Sequence, residues 1–111
     1  MAPLSEAVFQ VLLALADRAR HGYGIMQEVE ERTDGRVRLG PGTVYGAIKR
    51  LRAQGLVEEI ESASPSDGDE RRRYYQLTEA GRQVAVTEAR RLERLLETAR
   101  QKDLLPREGA A

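Results

Sequence analysis

The sequence predicts a mainly α-helical protein with one small β-hairpin, the layout of a winged helix-turn-helix domain followed by a long C-terminal helix. Three observations carry that expectation. Apolar residues recur at helical spacing in four separate stretches, two strand-like runs flank a polar loop, and positive charge is gathered on one short segment of an otherwise neutral chain. At 111 residues the chain is expected to hold one modest core.

Ser5 is placed to cap a first helix running to about residue 18, with Val8, Val11, Leu12 and Leu15 as its core face. Phe9, Leu13 and Ala16 form a second apolar stripe, which either sits deep in the chain's own core or meets a partner subunit. His21-Gly22-Tyr23-Gly24 reads as a turn, with His21 a plain turn residue, and Ile25, Met26 and Val29 mark one face of a second helix ending near Thr33. Asp34-Gly35 turns the chain, and Val37 and Leu39 alternate with Arg36 and Arg38 as a short strand would.

Pro41 suits the first turn of a third helix, which runs to the stop at Gly55 and buries Val44, Ile48 and Leu51. Residues 56–61 read as a strand, 62–70 as a polar loop with Pro65 and an Asp67-Gly68 turn, and 71–77 as the returning strand. Tyr75 shares a face with Leu77 and is the expected core residue, leaving Tyr74 more exposed. Thr78 can cap a last helix over 79–102, about 36 Å long at 1.5 Å per residue. Ala85, Ala89, Leu92, Leu96 and Ala99 repeat at alternating spacings of four and three, and Leu95 widens the stripe, as in a dimerisation seam. The expected division is a winged domain over 1–77, a dimerisation helix over 78–105 and a disordered tail over 106–111.

Several function classes are excluded by composition. The chain has no cysteine and a single histidine, so neither a disulfide framework nor a thiolate metal site is expected, and no cofactor is implied. Its longest apolar run, residues 11–16, is far short of the roughly 20 residues that span a bilayer, and nothing resembles a signal peptide. A cytoplasmic protein without membrane contact is expected. Enzyme chemistry finds no phosphate-cradling glycine loop, no nucleophile with a base and no metal cluster, and the adjacent Glu58 and Glu59 point to opposite faces of their strand.

Charge distribution points to double-stranded DNA. Residues 35–57 carry Arg36, Arg38, Lys49, Arg50 and Arg52 without an acid, whereas Glu28, Glu30, Glu31 and Asp34 precede them and Glu58, Glu59 and Glu61 follow. A solvated face is the commoner fate of a charge run taken alone. Here, however, Gly42, Tyr45, Gly46, Lys49 and Arg52 form a stripe opposite the buried face with no aliphatic side chain, and Gly46 is a poor helix former, costing about 1 kcal/mol against alanine. Close approach of a sugar-phosphate wall is a reason to tolerate it. Thr43, Tyr45, Lys49 and Arg52 are the expected contacts from this helix, Arg72 and Arg73 would reach flanking phosphates from the wing, and Tyr23 could donate its hydroxyl. The other reading is a winged helix used only for protein interaction.

The motifs His21-Gly22-Tyr23-Gly24-Ile25, Pro41-Gly42-Thr43-Val44-Tyr45, Gly55-Leu56-Val57 and Arg72-Arg73-Tyr74-Tyr75-Gln76-Leu77-Thr78-Glu79-Ala80-Gly81 together resemble the PadR family of bacterial transcription regulators, over about residues 5 to 82. The resemblance implies a homodimer on a palindromic operator, usually a repressor, paired through its last helix. The short single C-terminal helix looks like the smaller of the two subfamilies. Some members bind flat aromatic drugs on a tryptophan of that helix; this chain has no tryptophan, so no effector residue is carried over. A small-molecule effector would be sought between the last helices and the partner's first helix.

Overall fold

The structure is a computed structural model and describes residues 4–61 and 73–106. The expected wing loop over 62–70, together with Arg71, Arg72 and residues 107–111 of the expected tail, lies outside the described residues.

Ser5 caps α1 (Glu6–Ala14), its hydroxyl accepting the Val8 N–H at 3.2 Å. The helix stops short of residue 18 because its end is satisfied from outside. Leu15 takes the C-cap, and Arg20 reaches back to donate to the Ala14 carbonyl at 2.8 Å while pairing with Asp17 at 3.2 Å. Arg20 and His21 form a two-residue strand, β1, and α2 (Gly22–Arg32) follows directly. The residues expected as a turn are therefore the first turn of a helix. His21 is its cap, its Nδ1 accepting the Gly24 N–H at 2.9 Å.

After α2 the chain turns through residues 33–36, and residues 36–39 form no strand. Thr33 Oγ1 donates to the Val29 carbonyl at 2.8 Å and accepts the Val37 N–H at 3.0 Å, which lays Val37 and Leu39 against the core with Arg36 and Arg38 outside. The alternation expected of a strand reports one-sided burial, and a lone extended segment on a core produces it without a ladder.

Pro41 opens α3 (Pro41–Ala53). Gly55 ends it at φ +73°, a left-handed position in which the Leu56 N–H returns to the Leu51 carbonyl at 2.9 Å. Strands β2 (Val57–Ile60) and β3 (Tyr74–Leu77) pair antiparallel, Val57 opposite Leu77 and Glu59 opposite Tyr75. β1 joins the other edge of β3, Arg20 opposite Tyr75, so the sheet order is β1-β3-β2. Leu56 faces Thr78 in the same register and its carbonyl accepts the Thr78 N–H at 3.1 Å, but its own N–H is spent on the Leu51 carbonyl, so the strand begins at Val57.

The core sits where α1, α2 and α3 meet the sheet. Val11, Leu12 and Leu15 pack with Ile25 and Val29, with Val44, Ile48 and Leu51, and with Val57 and Tyr75, all buried. Each aliphatic side chain buried there contributes about 1.5–3 kcal/mol. Among the described residues, four helices and three strands thus make a mainly α winged helix-turn-helix with a small hairpin.

Thr78 caps α4 (Glu79–Gln101), accepting the Gly81 N–H at 3.1 Å and donating its hydroxyl to the Gly55 carbonyl at 2.6 Å. The last helix is thereby anchored on the corner where α3 turns into β2. Val84 and Ala85 pack on the core, and the buried Glu88 is held by Arg91 through bonds of 2.8 and 2.7 Å. The Arg91 bonds keep the Glu88 carboxyl below the ordinary carboxylate value, against the opposing effect of burial. Farther along, Leu95 and Leu96 are 55% and 46% exposed.

Candidate nucleic-acid interface

Helix α3 presents two unlike faces. Val44, Ala47, Ile48 and Leu51 are buried, while Gly42, Thr43, Tyr45, Gly46, Lys49 and Arg52 are exposed, as helical periodicity requires of residues on the other side. The N-cap Gly40 makes no side-chain capping bond and Pro41 has no N–H, so the positive end of the helix dipole opens to solvent beside Thr43.

A methyl group added at Gly46 would meet nothing within 4 Å among the described residues, and the same holds at Gly42. The fold therefore does not need glycine at either place. Tyr45, 48% exposed, lays the far end of its ring on Gly22, where a Cβ would overlap its Cζ and Oη; this ties the outer stripe of α3 to the first turn of α2. Tyr23, next in sequence, is exposed and stacks loosely on His21, with ring centroids 6.4 Å apart. His21 also meets Tyr74 of β3 edge-on at 5.3 Å.

The cations fall into two groups. Arg36, Lys49 and Arg50 are exposed and make no ion pair among the described residues. Arg38 pairs with Glu30 at 3.4 Å, and Arg52 pairs with Glu59 at 3.3 Å. The same Glu59 carboxylate also takes Arg73, from the base of the wing, at 3.4 Å. Thus the flanking acids reach back onto the segment that looks acid-free in sequence. Burial pushes the Tyr75 phenol above its ordinary value, with Glu59 adding to the effect and Arg52 and Arg73 opposing it.

The structure brings Tyr45, Lys49 and Arg52 onto one helix stripe, leaves Thr43 exposed on the opposite flank of the first turn, and gathers Arg52 and Arg73 around one acid; Tyr23 lies beside the Tyr45 contact on α2. Arg72 lies outside the described residues. Sequence reasoning named Glu59 as a flanking acid and as half of a rejected catalytic pair, and missed that it would hold the arginines. Its parity with Val57, which puts it on the inner face of the hairpin toward α3, was the available signal. Of the expected seam, Ala85 packs on the chain's own core, Leu92 and Ala99 are half-buried, and Ala89, Leu95 and Leu96 are exposed.

A family model described as the transcriptional regulator PadR-like family matches residues 11–87, from the core face of α1 into α4. The chain belongs to the PadR-like family. Its similarity to individual members follows the same span. This PadR-like chain is 35% identical over 85 residues to the transcriptional regulator Rv3488 of Mycobacterium tuberculosis, covering 77% of this chain and 74% of that one. It is 41% identical over 91 residues to a 37.1 kDa protein in transposon TN4556 of Streptomyces fradiae, covering 82% of this chain but only 24% of that protein's length. Among solved structures, a PadR family transcription regulator from Clostridium difficile superposes with a TM-score of 0.74 at 27% identity, covering 91% of this chain and 100% of that chain. PadR-like transcriptional regulators are not enzymes, in keeping with the expectation from sequence. No described helix is long and apolar enough to cross a membrane.

Proposed function

We propose that this PadR-like regulator binds double-stranded DNA in the cytoplasm as a homodimer and represses transcription from a palindromic operator. The winged domain over 1–77 reads the DNA, the helix over 78–105 pairs the subunits, and two copies of α3 enter successive major grooves about 34 Å apart. Thr43 and Tyr45 lie at the N-terminal end of α3, where base contact concentrates. Lys49 and Arg52 meet phosphates from the same stripe, and Arg72 and Arg73 anchor the flanking backbone from the wing. With no tryptophan in the chain, an aromatic effector would have no indole to stack on.

The observation that carries this reading is the outer stripe of α3. It combines Lys49, without an ion pair among the described residues, with glycines at 42 and 46 that the described residues leave in open space. A helix serving only its own fold gains from alanine there; a helix pressed against a groove wall loses. Gly46→Ala is therefore expected to raise stability by up to about 1 kcal/mol in thermal melts while weakening operator binding about tenfold, a difference of about 1.4 kcal/mol. A variant that is both more stable and equally tight on DNA would remove α3 from the groove.

A further inference from the structure

We propose that Glu59 is an intramolecular stand-in for a DNA phosphate, holding Arg52 and Arg73 in the free protein and releasing them only when the DNA backbone takes its place. The inference rests on the DNA-binding reading above and deepens it by naming a residue that sets specificity.

Strand register places the acid. Glu59 lies opposite Tyr75 on the face that carries Val57 inward, whereas its neighbour Glu58 lies on the other face and takes a neutral partner, the Gln76 amide, at 2.6 Å. On the inner face the carboxylate stands between the last turn of α3 and the base of the wing, the two elements expected to meet DNA. Each of its oxygens takes a different guanidinium: Oε2 takes Arg52 Nη2 at 3.3 Å, and Oε1 takes Arg73 Nε at 3.4 Å. Two oxygens bridging two arginines reproduce what the non-bridging oxygens of a phosphate would offer.

The pairs are built to exchange. Both are longer than the roughly 2.7–2.9 Å of a tight charge-assisted bond, and the Arg52 and Arg73 side chains are 44% and 68% exposed. Exposed ion pairs of this kind are weak. Exchange nevertheless has a cost, because phosphates that capture the arginines leave the Glu59 carboxylate unpaired beside the DNA. A non-cognate duplex offers only electrostatic attraction, and Glu59 cancels two of the cations that would supply it. A cognate site adds base contacts along α3 that offset the loss. Glu59 thus lowers affinity for DNA at large and widens the gap between operator and other sequences.

Glu59→Gln keeps the shape and one acceptor while removing the charge. The test is a titration of a labelled duplex of scrambled sequence, about two helical turns long, between about 50 and about 200 mM salt. The variant is expected to bind about tenfold tighter at the low end, with a salt slope steeper by about 0.9 per arginine released. That gain should vanish when Arg52 and Arg73 are both changed to Ala. A second reading leaves Glu59 untouched: on the same duplex, Arg52→Ala and Arg73→Ala in the native background should each reduce the slope by less than Lys49→Ala does. If the native protein binds and Glu59→Gln matches it in affinity and slope, or if the arginine variants cost as much slope as Lys49→Ala, the role of Glu59 is overturned and the DNA reading stands. If neither the native protein nor Glu59→Gln binds this duplex at any of these salt concentrations, the role of Glu59 is overturned, while the DNA reading falls only if the operator titration also shows no complex.

Discussion

Gly81→Ala is expected to lower the melting temperature by about 10–20 °C, read by circular dichroism. A Cβ at this position would overlap the carbonyl oxygen and carbon of Leu56, and these are backbone atoms that cannot swing aside. The Leu56 carbonyl is also the acceptor of the Thr78 N–H at 3.1 Å, and Thr78 in turn caps α4 and bonds Gly55 at 2.6 Å. Making room for one methyl group therefore shifts the whole corner that joins the end of α3 to the start of α4. Overpacking of this kind costs about 1–3 kcal/mol, and a domain of this size loses about 4–8 °C per kcal/mol. The same corner sets the angle between the helix proposed to read DNA and the helix proposed to pair the subunits. A melting temperature within a few degrees of the native value would show that the corner relaxes cheaply.

Leu96→Glu is expected to convert the proposed dimer to a monomer without unfolding it, and to weaken binding to a full inverted repeat by about 10²–10⁴-fold, the avidity lost when linked sites are separated. Leu96 is 46% exposed and has no place in the core cluster, so an acid there disturbs nothing within the subunit. In a seam of two helices, the same acid would be buried unpaired, which is strongly unfavourable. Light scattering reports the mass and a parallel titration reports the affinity. A variant that stays dimeric moves the subunit contact away from Leu96, and one that becomes monomeric with unchanged affinity breaks the link between pairing and reading.

Much of this architecture is legible in the sequence because local chemistry and tertiary demand agree. Ser5, Pro41, Gly55 and Thr78 mark helix ends by their own geometry, and the core positions of all three packed helices follow from spacing. What misleads is pattern without partner. The alternation of Val37 and Leu39 has no strand to pair with, while Arg20 and His21, too short a run to show any period, complete the sheet because β3 has a free edge beside them. The stripe on α3 could be read residue by residue. Its electrostatics could not, since the pairing of Arg52 with Glu59 depends on a register across the hairpin and on the approach of that hairpin to a helix.

The measurement that bears most directly on the central claim is a salt-dependent titration of native protein and Lys49→Ala against the DNA upstream of the chain's own gene. Lys49 is exposed on the outer stripe of α3 with no ion pair among the described residues, so removing this proposed phosphate contact breaks none of their salt bridges. The native protein is expected to form a complex at moderate salt. Lys49→Ala should weaken it and flatten the plot of log affinity against log salt by about 0.9 per subunit. Unchanged affinity with an unchanged slope, or no complex with the native protein at all, would contradict the account.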